Sequence, residues 1–133
     1  MNLKQLSQLY YLNREIELDQ QRLEELRAKA ERLIAPKFDS MPRGGPTINY
    51  IEKYVTEIVD LTAIVQAKQQ QCICERNRLE SYIAGINDSL VRMIFTLRFI
   101  NGLSWEQVAK SIDEKLTDSY VRLTCHRYIK RTK

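Results

Sequence analysis

The last segment of the chain concentrates side chains that can bind a polyanion. Arg122, His126, Arg127, Lys130 and Arg131 lie within one short stretch that contains no acidic residue. Guanidinium groups donate paired hydrogen bonds to phosphate oxygens or to guanine edges, and imidazole can hydrogen-bond to either. Because nucleic acid is the commonest polyanion inside cells, these residues indicate a nucleic-acid contact. A solvated basic tail is the alternative that the charge alone leaves open.

The positive charge of the whole chain lies in its last third. The 133 residues include 21 Lys and Arg against 17 Asp and Glu, which gives a formal net charge of +4. Residues 1–35 carry six basic and six acidic side chains, and residues 36–86 carry six of each again. Residues 87–133 carry nine basic and five acidic side chains, so this segment accounts for the entire excess.

Residue types that carry catalysis or bind metal are sparse. His126 is the only histidine, and Cys72, Cys74 and Cys125 are the only thiols. Zinc needs about four convergent ligands, and these spacings do not resemble a zinc finger. The sequence also has no glycine-rich loop to cradle phosphate and no nucleophile beside a base. We therefore expect no enzyme activity, no cofactor and no metal, and reduced thiols in a cytoplasmic protein.

Two long stretches of regularly spaced residues predict an all-α protein, and only 4 Gly and 3 Pro interrupt the chain. Both stretches repeat at alternating intervals of three and four residues, which is the heptad spacing of paired helices. The first seam comprises Leu9, Leu12, Ile16, Asp19, Leu23, Leu26, Ala30 and Leu33. The second seam comprises Ile51, Tyr54, Ile58, Leu61, Val65, Lys68, Cys72, Glu75, Leu79, Tyr82 and Ile86. Residues 1–86 are predicted to form a long antiparallel helical hairpin, a coiled coil whose hinge at residues 36–47 holds every proline.

Residues 87–133 are predicted to form a separate module of three short helices. Asn87 or Asp88 can cap the first helix, which stops at Gly102, a residue suited to the left-handed conformation that ends helices. Ser104 and Gln107 stand at the spacing of a capping box, so a second helix begins there. The third helix is predicted to begin near residues 117–119.

The third predicted helix has two chemically different faces. Its inward face comprises Val121, Thr124, Cys125, Tyr128 and Ile129, which recur at helical spacing. Its outward face comprises Ser119, Leu123, His126 and Lys130, flanked by Arg122 and Arg127. One apolar face for packing and one basic face for the major groove are what a helix-turn-helix requires.

The run RMIFTLRFINGLSWEQVAKSI, followed by YVRLTCHRYIKR, resembles region four of bacterial sigma factors. The chain as a whole is similar to small sigma-like transcriptional regulators of phages and prophages in Gram-positive bacteria, the ArpU-like group among them. The resemblance implies that Arg122, Leu123, His126 and Arg127 face DNA. It also implies core positions for Trp105, Val108, Ala109, Val121 and Cys125. Two features depart from the family: the connection SIDEKLTD is longer than the usual tight turn, and no segment resembles the sigma region that melts promoter DNA.

These observations predict a transcriptional regulator that docks its third helix on double-stranded DNA. The predicted DNA-binding residues are Ser119, Arg122, Leu123, His126, Arg127, Lys130 and Arg131. The hairpin would supply self-association as a homodimer, or contact with RNA polymerase. One alternative is a phage DNA-packaging protein similar to a small terminase subunit, and another is a module that engages a protein without touching DNA. No membrane contact is expected, because no apolar stretch approaches the roughly 18 residues that a span needs.

Overall fold

A computed structural model describes residues 1–34 and 45–132, with side chains placed for residues 1–33 and 50–132. The described residues are helical and contain no β-strand, which confirms the predicted all-α class. The α-helices are α1 (Leu3–Leu6), α2 (Gln8–Ile34), α3 (Gly45–Ala84), α4 (Ser89–Phe95), α5 (Trp105–Ile112) and α6 (Asp118–Arg131). A π-helical turn, Thr96–Ile100, continues α4.

The start of α3 falls inside the predicted hinge, most of which lies outside the described residues. The helix begins at Gly45, and Pro46 follows within its first turn. Proline is tolerated at this position because the first N–H groups of a helix have no intrahelical partner.

Near the beginning of the chain, Ser7 separates α1 from α2 but keeps helical φ and ψ angles of −84° and −5°. The Tyr11 N–H donates to the Ser7 carbonyl at 3.2 Å, so the helical path continues through the junction.

The chain divides into two compact units. The two-helix unit is Arg14–Gln70, and the terminal unit joins Met1–Asn13 with Gln71–Lys133. The domain boundary that the sequence places at residue 86 stays a prediction, because compactness does not show which segment folds alone.

The two-helix unit buries the predicted seams. Ile16, Leu23, Leu26, Ala30 and Val65 are buried, each at most 8% exposed. The remaining seam residues of this unit are half-buried: Asp19, Leu33, Ile51, Tyr54, Ile58, Leu61 and Lys68. The seam positions therefore face the interior of the unit, as the heptad spacing predicts.

A polar pair interrupts the apolar seams of this unit. Lys68 donates a hydrogen bond to Asp19 at 2.6 Å, and its ammonium lies 3.2 Å from the carboxylate of Glu15. Asp19 is the one polar residue of the first seam, and Lys68 is one of two charged residues in the second. The structure brings them together, and about a quarter of each side chain remains exposed to water.

The terminal unit has a continuous hydrophobic core. Its buried members are Leu6, Leu9, Leu79, Ile83, Ile86, Val91, Ile94, Phe95, Phe99, Val108, Ala109, Val121, Cys125 and Ile129. Phe95 lies among three other rings, with centroids 5.2 Å from Phe99, 5.5 Å from Tyr128 and 6.4 Å from Tyr82. The core thus draws on both the beginning and the end of the chain.

The first C-terminal helix buries Phe95 just before it passes into the π-turn. Phe95 is fully buried and Leu97 is half-buried. Phe95 lies four residues after Val91 in α4, so ordinary α-helical spacing places both side chains on the inward face. Gly102 follows at a φ of 71°, and the Leu103 N–H donates to the Leu97 carbonyl at 3.1 Å. The predicted helix stop at Gly102 is confirmed.

Local capping fixes where the last helices begin. The Gln107 N–H donates to the Ser104 hydroxyl at 3.3 Å, and the Ser104 N–H donates to the Gln107 amide oxygen at 3.0 Å. Both bonds of the predicted capping box are therefore present. Asp88 caps α4, and Thr117 caps α6 through a bond from the Tyr120 N–H to its hydroxyl.

Candidate nucleic-acid interface

The long connection between α5 and α6 is an ordered turn. Asp113 accepts a hydrogen bond from the Lys115 N–H on its carboxylate and another from the Leu116 N–H on its carbonyl, at 3.0 and 3.1 Å. Leu116 packs against the core of the terminal unit. This anchoring lets a connection without glycine carry the chain from α5 into α6, and the two helices pack directly against each other.

α6 has one buried face and one exposed face. Val121 and Cys125 are fully buried, and Ile129 is 8% exposed. Thr124 and Tyr128 lie half-buried beside them. The predicted inward face of the third helix is therefore the face that packs. The residues predicted to bind DNA are all exposed: Ser119, Arg122, Leu123, His126, Arg127, Lys130 and Arg131.

The exposed cations of α6 keep their charge uncompensated. Among residues 1–33 and 50–132, no carboxylate forms an ion pair with Arg122, Arg127, Lys130 or Arg131. The one acidic residue of α6 is Asp118, in the first turn, where a negative charge favours the positive end of the helix dipole. The cations occupy the rest of the helix, so its exposed face is positive over most of its length.

His126 lies at the edge of this face, against an aromatic ring of α5. Its ring is 6.1 Å from the Trp105 ring in an edge-on arrangement. The Arg98 guanidinium lies over the same indole at 4.5 Å and donates a hydrogen bond to the Leu103 carbonyl at 2.9 Å. Trp105 is half-buried between these two side chains. The resemblance implied a core position for Trp105, and the structure places it at the border between core and surface.

Tyr120 is an exposed residue of α6 that the sequence analysis did not include in the site. Its side chain is 48% exposed, and that of Leu123 is 49% exposed. The two residues are three positions apart, so they are neighbours on the helix surface. A signal was available, because helical spacing from Leu123 already assigns Tyr120 to the outward side of the third predicted helix.

The beginning of the chain also borders this surface. Leu3 lines a cavity of about 320 Å³ together with His126, Ile129 and Lys130. A larger cavity, of about 450 Å³, is lined by residues that include Tyr10, Tyr11, Arg98, Ser104 and Gln107. The sequence assigns residues 1–13 to the hairpin, and apolar residues outside its seam, among them Leu3, Leu6 and Tyr10, indicate packing against another chain or against the C-terminal module. The structure buries Leu6 in one core with Val121 of α6.

The cysteines differ in their surroundings. Cys125 is fully buried, and burial raises the pKa of its thiol to about 12, against a smaller opposing effect of the nearby Arg98 charge. Cys72 is half-buried, and burial also raises the pKa of its thiol. Cys74 is exposed. Within the described ranges, no group of three or more His, Cys, Asp or Glu side chains is placed to hold a metal ion.

Among the described helices, none is both long and apolar enough to cross a membrane.

Comparison with known proteins finds no matching family model, no matching curated protein and no matching solved structure. The resemblance to sigma region four rests on the residues quoted for it above.

Proposed function

We propose that this chain is a DNA-binding transcriptional regulator in which α5 and α6 act as a helix-turn-helix. The observation that carries the proposal is the division of α6 into a buried apolar face and an exposed face whose cations form no ion pair with the described carboxylates. The major groove of B-DNA is about 12 Å wide, and an α-helix with its side chains is about 10–12 Å in diameter, so the groove admits a helix of this kind. The mechanism is docking, without a chemical step and without a cofactor.

Each exposed side chain of α6 has a role that follows from its chemistry. Arg122, Arg127, Lys130 and Arg131 would neutralise phosphates or donate to guanine. Ser119 and His126 would hydrogen-bond to bases or to phosphates, and Leu123 would contact a thymine methyl group. Phosphate contacts set the register of the protein, whereas the contacts to base edges select the sequence.

The helices outside this module are proposed to form an antiparallel hairpin through which two copies associate. A single small module reads few base pairs, so a dimer gives the affinity and site length that regulators need. Apolar side chains of the two-helix unit that are about half exposed or more support this role: Leu18, Val55, Val59 and Ile64. Contact with RNA polymerase is the other role that the resemblance implies for the hairpin. The origin in a phage or prophage and the cytoplasmic location rest on the resemblance and the composition alone.

The Arg122→Ala/Arg127→Ala double variant tests the proposal. We expect specific binding to duplex DNA to be lost while the thermal unfolding transition is unchanged, because both side chains are exposed. On random duplex, the slope of log K against log salt should fall in magnitude by about 1.8, since each lost phosphate contact accounts for about 0.9. Electrophoretic or fluorescence titrations at several salt concentrations measure both quantities.

The Arg22→Ala/Arg27→Ala variant is the matched control, because it removes two exposed arginines from α2. It should bind as wild type does. Wild-type affinity and salt slope in the Arg122/Arg127 variant would contradict the proposal. Sedimentation separates the regulator from the packaging alternative, since a dimer fits the first and a ring of about eight or more subunits fits the second.

A further inference from the structure

We propose that residues 3–11, the N-terminal edge, form a second part of the DNA-binding surface and contact the phosphate backbone of the same duplex. The contacts would come from the Lys4 ammonium and the Tyr11 hydroxyl, beside the Arg98 guanidinium. This inference rests on the proposed function and extends it to a segment for which the sequence indicated packing and no contact with DNA.

The N-terminal edge borders the basic helix and the start of α5. At one end, Leu3 shares a cavity with His126 and Lys130, two of the exposed residues of α6. At the other end, Tyr10 and Tyr11 share the larger cavity with residues at the start of α5. Both cavities belong to the terminal unit, so the edge reaches the α6 surface at Leu3 and the start of α5 at Tyr10 and Tyr11.

The edge is held rigidly against the core. Leu6 is fully buried and Leu9 is 3% exposed, in the same cluster as Val121 and Cys125 of α6. Asn2 caps α1, with the Gln5 N–H donating to its side chain at 2.8 Å. A polar group on this segment therefore keeps its position relative to α6, and ordering it at a duplex costs little entropy.

The larger cavity has the chemistry of a phosphate contact. Arg98 lines it, and no carboxylate in the described part of the chain forms an ion pair with this guanidinium. Ser7, Tyr10 and Tyr11, whose side chains carry hydroxyl groups, line the same space. A cation together with neutral donors suits an anionic oxygen. Lys4 adds an exposed charge on the same edge, also without an ion pair among the described residues.

Trp105 lies between Arg98, which lines the larger cavity, and His126 of the α6 surface. The Arg98 guanidinium lies 4.5 Å from the centroid of the indole, and the His126 ring centroid lies 6.1 Å from it. A duplex that contacts His126 therefore comes within one side chain of Arg98. A helix inserted in the major groove covers only a narrow strip of the duplex. The phosphates on either side of the groove can therefore be contacted only by segments next to α6.

The Lys4→Ala/Tyr11→Phe variant tests the inference in the full chain. We expect its affinity for random duplex to fall about tenfold at low salt, and its salt slope to fall in magnitude by about 0.9 because one phosphate contact is lost. The phenyl ring keeps the contact of Tyr11 with Tyr10, whose ring centroid lies 5.4 Å away, so the fold should be unaffected. The Tyr50→Phe/Lys53→Ala variant makes the same chemical changes at exposed positions of α3 and should bind as wild type does.

Acetylation of lysines followed by mass spectrometry gives a second measurement that does not depend on a substitution. Duplex DNA should protect Lys4 from acetylation and leave Lys53 reactive. If wild type binds duplex with salt dependence, but Lys4 stays reactive and the Lys4/Tyr11 variant matches the control, the inference is overturned while the proposed function stands. If wild type shows no salt-dependent binding, both are overturned.

Discussion

Burial determines the chemistry of Cys125. The residue neighbours His126 in the sequence, a pairing that in other surroundings could serve metal binding or nucleophilic catalysis. Its side chain is fully buried in the apolar core, and its pKa of about 12 keeps the thiol protonated at neutral pH. Since the thiolate is the reactive species, Cys125 is an inert core residue.

Alkylation of the native protein checks this assignment residue by residue. We expect iodoacetamide at pH 8 to modify Cys74, which is exposed, and to modify Cys125 only after unfolding in denaturant. Cys72 should react more slowly than Cys74, because burial raises the pKa of its thiol. Peptide mapping by mass spectrometry reads the three sites separately. Equal rates at Cys74 and Cys125 in the native protein would show that the α6 core opens readily.

Trp105 shows how far residue types alone could define the site. The start of its helix was predictable, because the Ser104 and Gln107 capping box depends on positions three residues apart. The position of Trp105 between Arg98 and His126 was not predictable, because this contact joins three separate helical segments. Helical spacing predicted that the basic residues of α6 are exposed. Whether a described carboxylate forms an ion pair with them depended on which segments pack nearby.

At the scale of whole helices, Lys68 connects the two seams of the two-helix unit. Hydrogen bonds from its ammonium to Asp19 and Glu15 raise the pKa of Lys68 above its usual value of 10.5. Only one alignment of α2 with α3 places this cation beside both carboxylates. We infer that the pair helps to select the register of the two helices, as single polar seam residues do in coiled coils.

The Lys68→Met variant tests this contribution. We expect the free energy of unfolding to fall by about 1 kcal/mol, because the partly buried Asp19 and the exposed Glu15 lose their partner. Because the folded-state pKa of Lys68 is raised, the stabilisation is fully present below pH 10.5 and is lost as the pH rises through the folded-state value. The stability difference between variant and wild type should therefore shrink at strongly alkaline pH. Denaturant titrations at pH 7 and above pH 11 measure it.

Lys110→Met is the matched control for this variant. Lys110 pairs with Glu106 at 3.0 Å, but both side chains are about 70% exposed. Its loss should cost about 0.3–0.5 kcal/mol, the usual value for an exposed pair one helical turn apart. Equal effects of the two Lys→Met substitutions would show that Lys68 is an ordinary surface residue.

At the scale of the molecule, the basic module shares its core with both ends of the helices that precede it. Leu6 and Leu9 from the start of the chain pack in the cluster that contains α6, together with Leu79 and Ile83 of α3 and Ile86 just beyond it. A fragment that begins at residue 87 lacks all five side chains. Each would have contributed about 1.5–3 kcal/mol of burial, which together is as large as the usual stability of a small domain.

Truncation therefore tests the boundary that the sequence places at residue 86. We expect residues 87–133 alone to show no cooperative thermal transition by circular dichroism, whereas the full chain should melt cooperatively. The Leu6→Ala variant of the full chain should lose about 2–5 kcal/mol of stability, because its side chain fills the same core. A fragment that melts as sharply as the full chain would establish residues 87–133 as an autonomous domain.

The amino-acid sequence by itself determined the local features of this protein: the helical class, both seams, the capping box, the stop at Gly102 and the two faces of α6. Each depends on residues within one or two helical turns, where periodicity and capping chemistry act directly. Only the tertiary structure decided the pairing of Lys68 with Asp19, the packing of Phe95 against Tyr82 and Tyr128, and the place of Leu3 beside α6. These depend on segments far apart in the chain, whose approach is set by how the whole core packs.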